Sequence, residues 1–289
     1  MSRLESSPYI RNEEYLAEPL FKVHDVLPPA HLGSPLNDEF ALELPSQDTA
    51  YGELVPDNFF ERVNRAWFQH RPERQLWSYD MRRVAQQILP FLWLGPISSA
   101  LDREFLQREG ITLLLAVPFS NHSRPTGRRV ADELGIETDS VTLADGQNYI
   151  YQYLRAVRRI NDHLFLHSTP THMPKILVFC ETGSDRSAAV VVAYIMAMYG
   201  LDWLSARWAV SHRRLCVAIG EQIRQSLISF ESIVAAKRDV AKAGVNSFGN
   251  NARKRGIDAT GDDADVDMMD GNTITPFTPR PAPFIDRVL

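Results

Sequence analysis

Cysteine is scarce in this sequence: Cys180 and Cys216 are the two that occur among 289 residues. Two thiols cannot form a disulfide framework, and the paired cysteine spacing of zinc ribbons and zinc fingers is absent. The first residues carry charges and no apolar run, so no secretory signal is expected. We therefore expect a protein of the cytoplasm, the nucleus or both.

Long apolar runs and an excess of positive charge are also missing. The longest uncharged apolar run in the region expected to fold, residues 187–201, has 15 residues, which is fewer than the ~20 that a membrane-spanning helix needs. It predicts a buried core helix instead. The formal net charge of -5 disfavours a nucleic-acid-binding protein, whose binding face is usually basic.

Local composition and apolar patterns divide the chain into three parts. Residues 1–65 contain seven prolines and scattered acids, which predicts an extended, mostly disordered arm. Residues 66–240 alternate short apolar runs with helical patterns, which predicts one α/β domain with a mostly parallel sheet between helices. Residues 241–289 are predicted to be a disordered charged tail, since residues 258–270 hold six aspartates and no lysine or arginine.

Apolar runs bounded by proline or glycine predict buried strands, and apolar residues at three- and four-residue steps predict helices. The predicted strands are residues 91–94, 112–117 and 175–179, and the predicted helices are residues 99–108, 150–164 and 219–234. Gly110 is expected to end the first of these helices.

The chemistry is expected where the last predicted strand ends. Cys180 follows that strand, Arg186 comes after five intervening residues, and Ser187 opens the long apolar run. A tight loop between a strand and a helix N-terminus directs backbone N–H groups inward, where they and the helix dipole bind phosphate. The predicted phosphate-binding loop consists of Cys180, Glu181, Thr182, Gly183, Ser184, Asp185 and Arg186.

Three of these side chains have predicted catalytic roles. Cys180 is the candidate nucleophile, because the positive field of such a loop lowers the pKa of a thiol. The planar guanidinium of Arg186 is expected to hold two phosphate oxygens, and the Ser187 hydroxyl is expected to stabilise the departing thiolate. A buried cysteine after a strand is otherwise a small core residue, but the loop glycine, the Arg-Ser pair and the apolar helix favour the functional interpretation.

Several segments, in order and at family spacing, resemble the catalytic domain of dual-specificity protein phosphatases: residues 88–95, 102–117 and 194–198, the region of Asp145 and the Cys180 loop. The resemblance covers residues 77–240, and residues 77–83 are similar to the fungal STYX-like branch of this cysteine-dependent superfamily. It implies a mostly parallel sheet of about five strands flanked by helices. It also implies hydrolysis of phosphotyrosine, and often of phosphoserine or phosphothreonine, without a cofactor.

The resemblance further implies a general acid, because the alkoxide of a serine or tyrosine leaves poorly. Asp145 matches the family position, and Asp139 is a second candidate. An aspartate before a glycine is also a common turn residue or helix cap.

Three residues depart from the family pattern. Phe179 stands where the family has histidine before the nucleophile, and phenylalanine has no donor to support the loop, so reduced activity is expected. Glu181 and Asp185 add carboxylates beside an anion site, and we expect both to point outward. Two alternatives therefore stay open. One is a STYX-like pseudophosphatase that binds phosphoproteins and regulates kinase signalling or ubiquitin ligase pathways, and the other is a phosphoinositide phosphatase.

Other polar residues carry weaker interpretations. Five arginines are candidate rim residues for an acidic phosphopeptide, with solvated surface charge as the alternative. These are Arg124, Arg128, Arg129, Arg213 and Arg214. His163, His167 and His172 are loosely spaced and no cysteine or paired carboxylate completes a site, so no metal is predicted.

Cys216 is interpreted as a core thiol at a helix end, since a redox partner of Cys180 would need a Cα separation below ~7 Å. The expected partner is a phosphorylated protein, with a MAP kinase as a candidate substrate. No nucleic acid and no membrane span are expected, and the sequence does not indicate an oligomeric state.

Overall fold

The computed structural model describes residues 41–46, 49, 51–70, 77–119, 127–144 and 148–251. The chain divides into two units, Met1–Ser247 and Phe248–Leu289, and the described part of the second unit is the helical stretch 248–251. Within the described ranges, every helix is too short or too polar to cross a membrane.

A five-stranded sheet lies at the centre of the first unit, in the spatial order β1-β2-β5-β3-β4. The first two strands form an antiparallel hairpin, and the other neighbours pair in parallel. The strands are β1 (Gln86–Leu89), β2 (Leu92–Pro96), β3 (Ile111–Ala116), β4 (Glu137–Ser140) and β5 (Lys175–Cys180). The prediction of a mostly parallel sheet flanked by helices is confirmed, whereas β1 and β4 were not predicted.

Eight α-helices are described. They are α1 (Phe59–Arg62), α2 (Ile97–Leu101), α3 (Arg103–Glu109), α4 (Arg128–Leu134), α5 (Tyr149–His167), α6 (Arg186–Tyr199), α7 (Trp203–Arg213) and α8 (Glu221–Asn251). The single helix predicted over residues 99–108 is in fact split at Asp102, whose carboxylate accepts the Phe105 N–H at 3.0 Å and caps α3. Gly110 ends α3 in the left-handed conformation, as predicted, with φ 66°.

The sheet separates two apolar clusters. Side chains alternate between the two faces of a strand, so Val178 and Cys180 of β5 face the larger cluster while Leu177 and Phe179 face the smaller one. The larger cluster includes buried residues of α5, α6, α7 and α8, and the smaller one includes those of α3 and α4. The nucleophile candidate and its neighbour Phe179 therefore project to opposite faces of the sheet.

Residues 41–46 and 51–70, here called the N-terminal segment, belong to the folded core. This corrects the prediction of an extended arm up to residue 65. Leu54 and Phe68 have no exposed surface, and Phe59 is 2% exposed. The fully buried Asn161 of α5 donates to Leu54 O at 2.7 Å and accepts from the Tyr194 hydroxyl at 2.9 Å. Prolines exclude long helices and regular strands, but they permit short turns that bury aromatic rings.

The C-terminal boundary of the folded region also differs from the predicted one. α8 continues to Asn251, past residue 240, where the domain was predicted to end. Residues 1–40 of the predicted arm and residues 252–289 of the predicted tail lie outside the described residues.

Candidate active site

The predicted phosphate-binding loop connects the central strand of the sheet to the most deeply buried helix. Cys180 is the last residue of β5, and Arg186 is the first residue of α6. All α6 residues after Arg186 are buried, so the helix is fixed in the core with its N-terminus at the loop. The helix dipole and the free N–H groups of its first turn favour an anion there.

Two hydrogen bonds hold the Cys180 sulfur. The Ser187 hydroxyl donates to it at 3.0 Å, and the Gly183 N–H donates to it at 3.2 Å. Burial raises the pKa of the Cys180 thiol, but the Ser187 hydroxyl and the backbone N–H groups of Ser187, Gly183 and Thr182 lower that pKa by more. The net pKa lies below the ordinary value for cysteine, so the arrangement favours a nucleophilic thiolate.

Gly183 is required by the path of the loop. Its φ is +70°, in the left-handed region that disfavours other residues. A Cβ at this position would lie 2.6 Å from both the Gly95 oxygen and the Pro96 nitrogen at the end of β2. The loop therefore packs its backbone directly against a neighbouring strand, which only glycine allows.

Arg214 supports the loop from the protein interior. It is fully buried, and its Nε donates to Gly183 O at 2.8 Å while its Nη2 donates to Thr182 O at 3.1 Å. Thr182 C=O and Gly183 N–H belong to one planar peptide group. Because Arg214 holds the oxygen of this group, the N–H at its other end stays directed at the Cys180 sulfur.

Arg214 also connects the loop to the chain before β1. Its remaining acceptors are Arg82 O and Val84 O, both at 2.9 Å, and the side-chain oxygen of Gln86. All five acceptors are neutral amide oxygens, so hydrogen bonding leaves the positive charge in place. Burial lowers the pKa of Arg214, and the negative charges that Cys216 and Cys180 develop raise it, so the cation and the thiolate stabilise each other.

This position corrects the interpretation of Arg214 as a rim residue. Of the other rim candidates, three have polar or charged partners and one lies outside the described residues. Arg213 donates to Gln87 O at 3.0 Å, and Arg128 and Arg129 lie 3.9 and 3.8 Å from acidic residues one turn further along α4. Arg124 lies outside the described residues.

The Arg186 side chain contacts Phe119 and Glu181. Its guanidinium carbon is 5.3 Å from the centre of the Phe119 ring, and its Nη2 is 3.5 Å from the Glu181 carboxylate. The Arg186 side chain is 13% exposed, whereas that of Glu181 is 77% exposed. Glu181 thus points outward as predicted, and its carboxylate is also a charged partner of Arg186.

Comparisons with known proteins identify the family of this chain. Residues 92–233 match the family model described as "Dual specificity phosphatase, catalytic domain". The serine/threonine/tyrosine-interacting protein of Mus musculus is 30% identical over 174 residues, which cover 58% of this chain and 74% of the relative. This chain belongs to the dual-specificity phosphatase family. The family prediction is confirmed, and the fungal branch stays a prediction.

Two further similar proteins were found. Dual specificity protein phosphatase 22-B of Danio rerio is 29% identical over 146 residues, which cover 50% of this chain and 73% of the relative. The crystal structure of the human tyrosine phosphatase-like serine/threonine/tyrosine-interacting protein has 30% identity and a TM-score of 0.44, and the match covers 52% of this chain and 97% of that chain.

Phe179 lies directly before Cys180, where the resemblance to the family implies a histidine. Its side chain is 3% exposed and packs in the smaller apolar cluster, on the sheet face opposite Cys180. An apolar ring contributes packing there, but it offers no hydrogen bond to the loop. The interactions that favour the thiolate are therefore those of Ser187, the loop N–H groups and the buried cation of Arg214.

The two candidate general acids differ in their surroundings. Asp145 lies outside the described residues, so its role stays a prediction. Asp139 is on β4, and its two carboxylate oxygens lie 3.0 and 3.2 Å from Arg155 and Arg159 of α5. Asp139 therefore connects the edge of the sheet to α5, which leaves Asp145 as the better candidate.

The segment after α7 supports the outer side of the loop. The Asp185 carboxylate accepts the Gly220 N–H at 3.2 Å and so connects the loop to this segment. Ser184 O accepts the Ala218 N–H at 2.8 Å, and the Ser184 hydroxyl lies 3.6 Å from the Cys216 sulfur. Cys216 is partly exposed and contacts the loop, which corrects its interpretation as a core thiol.

A cleft of about 330 Å³ opens beside Arg186. Phe119, Leu143 and Tyr149 form its apolar wall, and Asp185 and Glu221 are among its polar lining residues. Phe119 is 66% exposed, so much of its ring faces the solvent. Sequence reasoning missed Phe119 because a single aromatic residue outside a motif carries no recognisable signal.

Proposed function

We propose that this chain is a dual-specificity-type protein phosphatase with attenuated activity. The observation that carries this proposal is the Cys180 sulfur, which accepts hydrogen bonds from Ser187 and Gly183 at the N-terminus of α6. A lowered thiol pKa serves a nucleophile, and the binding of phosphate does not require one.

In the first step of the proposed reaction, Cys180 Sγ attacks the phosphorus atom. The bond between phosphorus and the ester oxygen breaks, and its electron pair goes to that oxygen, which takes a proton from Asp145. The loop N–H groups and Arg186 bind the other phosphoryl oxygens, and the charge that builds on them in the transition state strengthens these contacts. The product of this step is a cysteinyl-phosphate.

In the second step, water attacks the cysteinyl-phosphate, and Asp145 takes the proton of that water. The bond between phosphorus and sulfur breaks, and inorganic phosphate leaves. The Ser187 hydroxyl, 3.0 Å from the sulfur, donates to the thiolate as it reforms. Replacing Ser187 should therefore slow this step more than the first one.

Two residues account for the attenuation. Phe179 supplies no hydrogen bond to the loop, and Glu181 competes with phosphate for Arg186. Both effects act on a site whose nucleophile and phosphate-binding arginine are retained. We therefore expect slow turnover rather than none.

The test is hydrolysis of an aryl phosphate and of a doubly phosphorylated kinase peptide, with Cys180→Ser as the blank. We expect turnover above the blank, and for Ser187→Ala we expect a rapid release of about one equivalent of alcohol followed by slower turnover. Wild-type activity equal to that of Cys180→Ser would refute the catalytic proposal. A MAP kinase is the first protein substrate to try, and a cytoplasmic or nuclear location stays a prediction.

Phosphoprotein binding without turnover is the second candidate function. The ion pair between Glu181 and Arg186 favours it, and so does the similarity to relatives named serine/threonine/tyrosine-interacting proteins. It predicts phosphopeptide binding that Arg186→Ala removes, with no turnover in the wild type or in Phe179→His. Turnover in either protein would contradict it.

A further inference from the structure

Three side chains that can bind a metal ion lie near the start of the edge strand β4. The phosphate-binding loop lies at the opposite end of the parallel strands. Glu137 is the first residue of β4 and pairs with Leu113 near the start of β3, whereas Cys180 is the last residue of the parallel strand β5. His163 and His167 lie one turn apart on α5, with ring centres separated by 4.4 Å. The active site uses none of these three residues.

The three side chains converge on one point. Glu137 Oε1 is 2.8 Å from His167 Nε2, and Glu137 Oε2 is 3.2 Å from His163 Nδ1. The three candidate ligand atoms all lie within 4.8 Å of one another. Ligands bound 2.0–2.1 Å from a tetrahedral ion are about 3.3 Å apart. The contacts of 2.8 and 3.2 Å are close to this spacing, and any wider separation, up to 4.8 Å, must shorten when an ion binds.

Neighbouring residues fix the orientation of these ligands. His163 is buried, and its other ring nitrogen, Nε2, lies 2.8 Å from the Thr112 hydroxyl, which is in turn bonded to the Lys175 backbone. Arg159 holds Glu137 Oε2 at 2.6 Å and leaves Oε1 toward His167. Metal sites in proteins usually have such outer contacts, which hold each ligand in one orientation.

We propose that Glu137, His163 and His167 bind a divalent transition metal, with zinc as the best match. Zinc binds imidazole nitrogen and carboxylate oxygen, and a set of two histidines and one glutamate is an established zinc ligand set. The side chains of His167 and Glu137 are both 42% exposed, so water can complete the coordination. The ion would connect the edge strand β4 to α5.

Metal binding requires each histidine to present a ring nitrogen without a proton. An ionised carboxylate can only accept hydrogen bonds, so in the metal-free cluster each histidine nitrogen that contacts Glu137 carries a proton. A neutral imidazole has a single ring proton, so in each histidine this proton moves to the other ring nitrogen and the freed lone pair binds the metal. On His163 that other nitrogen is Nε2, which can then donate to the Thr112 hydroxyl.

The sequence alone could not complete this site. His163 and His167 are visible as a pair, but the third residue considered was His172, which forms a bridge with Thr169 in the turn after α5. The third ligand comes from β4, 26 residues before His163, and is brought there by the parallel pairing of β3 with β4.

The test measures zinc binding to the full-length chain, freed of any affinity tag and of metal. A Cys180→Ser, Cys216→Ser background removes the thiols that would also bind zinc. We expect one equivalent of Zn²⁺ by calorimetry, and visible absorption typical of four- or five-coordinate Co²⁺ when cobalt replaces zinc. His167→Gln and Glu137→Gln should each weaken binding by about 100-fold, since even loss of an outer contact costs 10–100-fold.

His172→Gln is the matched control, because it removes an exposed histidine near the same helix and should leave the affinity unchanged. Thermal unfolding gives a second measurement: zinc should raise the Tm of the thiol-free chain but not that of its His167→Gln form. Absence of binding in the thiol-free chain, or binding that His167→Gln leaves intact, would overturn the proposal. Neither result depends on phosphatase activity, so the proposed function is tested separately.

Discussion

Replacing Arg214 by lysine should damage the active site without touching a residue that contacts the substrate. The substitution keeps the positive charge but reduces the donors. Lysine has three N–H groups, whereas Arg214 has five amide oxygens as acceptors, including Thr182 O and Gly183 O. At least two of these buried oxygens therefore lose their partner.

Each buried acceptor that loses its partner costs about 1–3 kcal/mol, so the free energy of unfolding should fall by about 2–6 kcal/mol. The effect on the thiol is separate. If Thr182 O is released, the peptide group can rotate and the Gly183 N–H can leave the sulfur. Loss of one hydrogen bond to a charged acceptor costs about 1.5–3 kcal/mol, so the pKa of Cys180 should rise.

Two assays measure these effects. Urea unfolding gives the change in stability, and the pH dependence of Cys180 alkylation by iodoacetamide, in a Cys216→Ser chain, gives the thiol pKa. Arg213→Lys is the matched control, because Arg213 donates to Gln87 O. Its alkylation midpoint should equal that of the wild type, below the ~8.5 of an ordinary thiol. Equal midpoints for Arg214→Lys and Arg213→Lys would refute the role given to Arg214.

Three other predictions concern the loop and the core. Glu181→Gln removes the charge of an exposed competitor for Arg186, so binding of inorganic phosphate should tighten by about 2–5-fold with no change in urea unfolding. An unchanged phosphate affinity would show that Glu181 does not compete with phosphate for Arg186. Phe179→His places a polar ring in an apolar cluster and should lower the free energy of unfolding by about 1–3 kcal/mol. It should also increase kcat. A loss of stability with no gain in kcat would argue against the role that the family resemblance gives to a histidine at this position. Phe68→Ala should lower the free energy of unfolding in urea by about 3–5 kcal/mol. The control Phe119→Ala, at an exposed position, should lower it by less than about 0.5 kcal/mol. Equal effects would show that the N-terminal segment does not stabilise the core.

The strand, loop and helix around Cys180 could be predicted because they are contiguous in the sequence. A strand, Cys180, Gly183, Arg186 and a buried helix follow one another, and each is recognisable by itself. Cys180 was expected to have a low pKa from the helix terminus, and the structure adds the hydrogen bonds that produce it. The family followed from the same contiguous residues.

Other features depend on contacts that sequence patterns do not encode. Arg213 and Arg214 are adjacent and chemically identical, yet one donates to the β1 backbone while the other lies fully buried beneath the loop. β4 consists of four half-buried residues, so it has no alternation of polar and apolar side chains to predict it. The N-terminal segment was misjudged because its prolines hid a few buried aromatic residues.

The packing of the N-terminal segment has a consequence for synthesis on the ribosome. Phe68 O accepts the Tyr199 hydroxyl, a residue 131 positions later in the chain. At about 5–20 residues per second, roughly 7–26 s pass between the emergence of these two partners. During that interval the aromatic side chains of the segment have no core to enter, so the nascent chain presents an apolar stretch that chaperones can bind. The N-terminal segment is made first, but it can therefore enter the core of this phosphatase domain only after α6 has been made.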